Sequence, residues 1–273
     1  MLQFPTKTTP ASAPAANDLR GLLRPLLEWT EDHAGLIGSM AGVFAHAGRR
    51  YGLPRFMFSG PEHPAMATKR IAVFAGVHGD EPAGCLAAVE FLEDLLREPE
   101  RATGYDIVVY PVCNPTGYED GTRHNRAGRD LNREFWHSSE QPEVHIVERE
   151  LRAHRFDGII ALHADDTSDG LYGYALGRFF NENLLRPALL AAERFLPRNM
   201  GVVIDGFAAR EGVIDACYKG VLSPPPDQDP LPFEIIFETP ALAPLERQAT
   251  AGRTALHAIL AEYRRFLSYA ADL

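Results

Sequence analysis

Cysteine is scarce in this chain. Cys85, Cys113 and Cys217 are the only three among 273 residues, they stand far apart, and none belongs to a CxxC pair. That spacing excludes a disulfide framework and a cysteine zinc knuckle, and leaves each thiol to pack as a small buried hydrophobe. Long apolar runs are missing too: none approaches the ~20 residues that a membrane span needs. Residues 1–17 are rich in Pro, Ala and Thr and carry no apolar core of a secretory signal. They read as a flexible tail, and the expected location is cytoplasmic with no membrane partner. Positive charge is short as well, with 27 Lys and Arg against 37 Asp and Glu and a formal charge of −10. A phosphate backbone demands clustered cations, so nucleic acid is not an expected partner. The arginines near 123–133 sit among Asp and Glu and form no basic stripe. Internal repeats and long linkers are also lacking, which favours one domain over 18–273.

What is present is an ordinary globular balance, 45% apolar and 23% charged, sufficient for a large core. Asp18 is placed to cap a helix running through Trp29, and residues 35–60 read as two edge strands of a hairpin. From residue 70 the pattern alternates. Apolar strands are expected at 70–77, 106–112, 158–163, 171–176, near 202–206 and 212–217, and at 232–238. Helices are expected at 82–97, 141–154, 181–195 and 243–269, with a long polar loop over 114–140. Continuous apolar strands between amphipathic helices imply an α/β fold in which a mixed, mostly parallel sheet is covered on both faces. In such sheets ligands bind beyond the carboxyl ends of the strands.

One stretch organises the rest: Ala75-Gly76-Val77-His78-Gly79-Asp80-Glu81-Pro82, where a buried strand meets a glycine-bounded turn and a helix. His78 and Glu81 supply a ring nitrogen and a carboxylate oxygen that suit zinc. Taken alone, a His-x-x-Glu pair is more often surface chemistry without metal. His163 ends another expected core strand, Gly158-Ile-Ile-Ala-Leu-His163, and completes a set of three. Three protein ligands leave a fourth position for water, the arrangement of a catalytic zinc site. His124, His137, His145 and His154 lie in the polar loop or on helix faces and are expected at the surface. The loop holds Asn114-Pro-Thr-Gly-Tyr118, Arg123-His-Asn-Arg126 and Gly128-Arg-Asp130-Leu-Asn132-Arg133. A solvated charged loop is the plain reading. Its length inside a compact domain points to function, because guanidinium groups can hold a carboxylate and steady an oxyanion.

In their order and spacing, His78-Gly-Asp-Glu81, Asn114-Pro-Thr-Gly-Tyr118, Arg123, Asp130-Leu-Asn132-Arg133 and His163 resemble the zinc carboxypeptidase (M14-like) superfamily, including its succinylglutamate desuccinylase/aspartoacylase branch. The resemblance spans about residues 70–240. It implies one zinc held by His78, Glu81 and His163, with Arg123 polarising the scissile carbonyl. Asn132 and Arg133 would clamp a terminal carboxylate, and Arg126 could share or exchange these roles. It also requires a late carboxylate base on a strand. In Phe233-Glu-Ile-Ile-Phe-Glu238, alternation puts Glu234, Ile236 and Glu238 on one face; Glu238 matches the base and Glu234 is the fallback. Tyr218 lies about where carboxypeptidases carry a mobile tyrosine. The implied activity is hydrolysis of an amide beside a free carboxylate, on a small peptide (metallocarboxypeptidase) or on an N-acyl amino acid (deacylase). The motifs favour the peptidase. A non-catalytic binding module is the remaining alternative. The residues leave open which of Arg123, Arg126 and Arg129 faces the metal, and the oligomeric state.

Overall fold

The computed structural model describes residues 17–271. The expected flexible tail therefore lies, but for Asn17, outside the described residues. In chain order the elements are α1 (Leu19–Asp32), β1 (Leu36–His46), β2 (Arg49–Ser59), β3 (Lys69–Ala75), α2 (Pro82–Arg97), β4 (Tyr105–Tyr110), α3 (Pro115–Asp120), α4 (Pro142–His154), β5 (Gly158–Asp165), β6 (Tyr172–Ala175), α5 (Arg178–Phe180), α6 (Arg186–Ala192), β7 (Val203–Ile204), β8 (Phe207–Arg210), β9 (Val213–Ile214), β10 (Phe233–Pro240) and α7 (Leu245–Ala271).

Among the described residues, ten strands join one sheet in the order β1-β2-β4-β3-β5-β10-β6-β9-β8-β7. Its centre, β4-β3-β5-β10, is wholly parallel. The centre also has the continuous apolar strands: Ile71–Ala75 of β3 and Gly158–His163 of β5 are buried throughout. The sheet is mixed, as expected, but antiparallel pairing has a larger share than the strand pattern suggests. The reason is local: β1–β2 and β7–β8 are hairpins, and β10 meets β6 antiparallel.

Both faces are covered. One packs against α1, α2, α6 and α7, through Leu23, Phe91, Leu92, Leu189, Leu256 and Ile259. The other packs against α4 through Val144, Val147 and Leu151, and against the loops that carry Leu131, Phe135 and Leu222. Helix α2 starts on Pro82, where a missing N–H costs nothing.

Several boundaries differ from the sequence reading. The polar loop at 114–140 contains two short ordered pieces. Asn114 caps α3 by accepting from the Gly117 N–H at 2.9 Å. Asp130 caps a single 3-10 turn, Leu131–Arg133, by accepting from the Asn132 N–H. The helix expected at 181–195 begins at Arg178, passes through a π turn at Asn181–Leu185, and ends at Ala192. Strand β8 was not anticipated: a two-residue turn at Asp205-Gly206 folds 207–210 back on β7. No helix among the described residues is long and apolar enough to cross a membrane.

Candidate active site

Strands β3, β5 and β10 are parallel neighbours, so their carboxyl ends open on one edge of the sheet. After β3 the chain turns at Gly76, whose φ of +60° suits glycine, and reaches His78. Gly79 is fixed by contact: a Cβ there would stand 1.9 Å from the Gly117 carbonyl carbon, so the turn nests on α3 only without a side chain. Glu81 occupies the N-cap position of α2 yet makes no capping bond. Its carboxylate is turned the other way. Oε1 lies 2.5 Å from His78 Nδ1, and Oε2 lies 2.9 Å from Nδ1 of His163 on β5. The helix N-terminus still favours its negative charge.

Ligand atoms of His78, Glu81 and His163 all lie within 4.8 Å of one another, and all three residues are buried. Two imidazole nitrogens converging on one carboxylate form the two-histidine, one-carboxylate donor set that zinc accepts. The surroundings fit as well. His78 presents Nε2 to Asp130 Oδ1 at 3.2 Å. A proton held there leaves the Nδ1 lone pair free for a metal, the usual arrangement behind a ligating histidine. Burial alone would raise the Glu81 carboxyl, but the His163 and His78 imidazoles outweigh it and draw the carboxyl down. Burial opposes charge on His78, and Glu81 with Asp130 reverses that and raises its pKa. Asp130, despite burial, is held well below the usual carboxylate range by His78 and Arg123.

His78 and Glu81 of the donor set line a cleft of about 320 Å³, together with Asp80, Arg123, Asn132, Arg133, Asp165, Asp166, Tyr172, Tyr174, Asp205, Tyr218, Val221, Ile236 and Glu238; buried His163 is not itself part of the lining. Parallel register sets Glu238 beside His163. Its carboxyl is pushed well above the ordinary range by burial, and then by Glu81, Asp165 and Asp205. Glu234, on the same face of β10, is absent from the lining; its Oε1 is buried without a partner, and burial pushes its carboxyl up to about 7.

The three arginines of the polar loop separate cleanly. Arg123 reaches the cleft: Nε lies 3.1 Å from Asp130 Oδ2, and a terminal nitrogen stands 3.8 Å from Glu81 Oε1. Arg126 does not. Its guanidinium is taken by Asp120 and Glu119 and by the Tyr51 hydroxyl, away from the cleft, which corrects the expectation that it could share the role of Arg123. Arg129 pairs outward with Glu134 at 3.3 Å. Arg133 borders the cleft with its guanidinium 4.9 Å over the Tyr218 ring, while one terminal N–H bonds the Asn132 carbonyl at 2.7 Å. Asn132 is less free than a substrate clamp would be. Its Oδ1 accepts from the Leu222 N–H at 2.9 Å, and its Nδ2 lies 3.5 Å from His163 Nε2. Tyr218 lines the cleft, half-buried, and its hydroxyl donates to the Asp205 carbonyl at 2.9 Å.

The sequence reading did not single out Tyr172, Tyr174 and Asp205 as site residues. Asp205-Gly206 between two short apolar pairs is a turn signal that could have found the hairpin. Nothing in the sequence would have aimed that hairpin at the cleft.

Residues 67–179 match the sequence profile of the succinylglutamate desuccinylase/aspartoacylase catalytic domain. The matched segment holds His78, Glu81, Arg123, Asn132, Arg133 and His163, and stops before Glu238. No curated protein matches this chain in sequence. Solved structures do match in fold. A candidate metallopeptidase from Shewanella amazonensis superposes with a TM-score of 0.74 at 23% identity, over 89% of this chain and 92% of that one. A metallo-carboxypeptidase from Burkholderia cenocepacia gives 0.67 at 19% identity, over 89% and 68%. A metallo-carboxypeptidase from Pseudomonas aeruginosa, solved with (2-guanidinoethylmercapto)succinic acid, gives 0.62 at 19% identity, over 88% and 68%. The chain thus resembles the succinylglutamate desuccinylase/aspartoacylase catalytic domain in sequence over 67–179, and solved metallopeptidases and metallo-carboxypeptidases in fold.

Proposed function

We propose that the protein is a zinc-dependent hydrolase that cleaves an amide bond beside a free carboxylate, in the manner of a metallocarboxypeptidase. The observation that carries the reading is the buried His78–Glu81–His163 donor set, two of whose members line one cleft with Glu238 and Arg123. In this proposal His78, Glu81 and His163 hold one zinc. Bound there, zinc supplies Lewis acidity and lowers the pKa of water from ~15.7 toward ~7. The chain's own groups do the remainder. Glu238 takes a proton from the attacking water and returns it to the leaving amine; its raised pKa suits a group that must both accept and give. Arg123, partly exposed in the cleft and anchored by Asp130, polarises the scissile carbonyl and steadies the charge that develops on its oxygen. Arg133 holds the substrate carboxylate. Asn132, bracketed by Leu222 and His163, contributes chiefly by fixing the turn from which Arg133 projects. Tyr218 supports Arg133 through its ring.

A second reading, deacylation of an N-acyl amino acid, is favoured by the matched desuccinylase/aspartoacylase profile. It uses the same residues on a different substrate. The cytoplasmic location expected from the sequence belongs to the same proposal. The test is metal analysis of the purified protein followed by hydrolysis assays on peptides with free carboxyl ends and on N-succinyl and N-acetyl amino acids. About one zinc per chain and turnover of the peptides are expected. Turnover of the N-acyl compounds alone would replace the first reading by the second. Metal-free native protein would sink both.

A further inference from the structure

Strand β10 ends in Glu238-Thr239-Pro240, and α7 begins shortly after it at Leu245. In parallel register Glu238 stands beside His163, and Thr239 beside Ala164. The Glu238 carboxylate accepts no hydrogen bond from the described residues. Its place is therefore set by packing and by the main chain that carries it. Alternation along the strand turns Thr239 to the opposite face of the sheet, away from the cleft and toward α7.

The residue that meets Thr239 there is out of keeping with its surroundings. Helix α7 packs on the sheet through Ala249, Ala251, Ala255, Leu256 and Ile259. Among the described residues of that helix, Gln248 is the one buried amide or charged side chain, 5% exposed. Both ends of its amide are used. Oε1 accepts from the Thr239 hydroxyl at 3.0 Å, and Nε2 donates to the Ala241 and Ala243 carbonyls at 3.1 and 2.7 Å. The same hydroxyl lies 3.3 Å from the His163 carbonyl. Ala241, which lines the cleft, donates its N–H to the Asp165 carbonyl at 2.9 Å. The end of the strand that carries Glu238 is thus tied to β5 at His163 and Asp165, and to α7 at Gln248. Burying an amide costs free energy even when it is fully bonded, and an apolar side chain would serve packing alone. What the amide adds is a fixed geometry between three segments of chain.

We infer that Gln248, acting through Thr239, is a positioning residue for Glu238: from the far side of the sheet it fixes the main chain of the base against that of His163. Neither Gln248 nor Thr239 lines the cleft, so neither meets substrate. A misplacement of about 1 Å at a reacting group can cost about 10²-fold in rate, which gives a remote brace a measurable effect. The inference rests on the proposed hydrolase reading for the role of Glu238, but part of its test needs no turnover.

The experiment compares the zinc-loaded protein with Thr239→Val, Thr239→Ser and Gln248→Met. It measures zinc content, kcat and KM on whichever amide substrate the unaltered protein turns over, and amide hydrogen exchange over residues 238–243. Thr239→Val and Gln248→Met keep side-chain size and remove the hydrogen bonds, whereas Thr239→Ser keeps the hydroxyl. The first two should lower kcat about tenfold or more, with KM within about twofold and zinc unchanged. They should also speed exchange over 238–243 by about tenfold, while Thr239→Ser stays within about threefold of the unaltered protein in both readouts. In a Glu238→Gln background, Gln248→Met should lower the residual kcat by about twofold or less, because it acts through the group already removed. Unchanged kcat in both Thr239→Val and Gln248→Met, or an equal loss with and without Glu238, overturns the inference. A lower melting temperature as the sole effect does the same. If Gln248→Met does not fold, the contrast between Thr239→Val and Thr239→Ser decides. Should the unaltered protein hydrolyse no amide, the function proposed above fails, and the exchange comparison alone then judges the brace, unchanged exchange in Thr239→Val overturning it.

Discussion

The floor and the walls of the cleft are built differently. His78, Glu81 and His163 are each no more than 5% exposed, stand on or just beyond two parallel core strands, and saturate one another with short contacts. Arg123, by contrast, leaves 42% of its side chain to solvent, and Asp205 rides on the turn of the β7–β8 hairpin at the sheet's edge. Atoms that must meet at a fixed point come from buried strand ends, where packing permits one arrangement. Groups that must greet a substrate come from loops, where exposure leaves them free to adapt. The desuccinylase/aspartoacylase profile covers all three donor residues and, of the other cleft residues, Arg123, Arg133, Asp165 and Asp166, but ends before Asp205 and Glu238.

This contrast can be broken by substitution. The largest effect is expected at Glu238, which belongs to the rigid part. Glu238→Gln should lower kcat by about 10²–10⁴ while zinc content stays unchanged; full activity would move the base elsewhere, and lost zinc would mean that Glu238 supports the donor set instead. Next come the two arginines that the sequence left undivided. Arg123→Ala should cost about 10²–10³ in kcat. Arg126→Ala should change kcat little and lower stability by about 1 kcal/mol or less, because its partners are surface carboxylates and one tyrosine. Comparable losses in both would erase the distinction drawn between them.

The smallest effect lies far from the cleft and sharpens the comparison as a control. His257 on α7 bonds Asp94 at 2.9 Å, yet burial lowers its pKa below the ordinary 6.5. The folded state thus prefers neutral imidazole, and the unfolded chain binds more protons below that value. Stability from this group is present above pH 6.5 and is lost as pH falls beneath it. The zinc-loaded protein should melt progressively lower between about pH 7.5 and about pH 5.5. His257→Gln should flatten part of that slope; an unchanged slope would assign it to other groups.

Much of the floor was legible in the chain. His78 and Glu81 are three residues apart on a turn that two glycines and a proline announce, and His163 ends an unbroken apolar run. Such signals are local and survive without the fold. Arg123, Arg126 and Arg129 show where legibility stops. They share one loop, one residue type and nearly one spacing, and only the positions of Asp130, Asp120 and Glu134 in space send them in three directions. Asn132 shows a subtler limit: its motif suggests a ligand clamp, while its side chain is already engaged by a backbone N–H 90 residues away. The strands at 203–214 were blurred because runs of two to four residues carry too little period to be told from loop.

By itself the sequence determined the α/β alternation, the strand ends that carry His78, His163 and Glu238, and the donor types that suit zinc, since hydrophobic period and residue chemistry are properties of the chain. Tertiary structure alone decided which guanidinium enters the cleft, that Asp130 stands behind His78, and that a short hairpin brings Asp205 into the cleft lining. Those outcomes depend on contacts between residues far apart in sequence, where a difference of a few ångströms separates a salt bridge on the surface from a charge in the site.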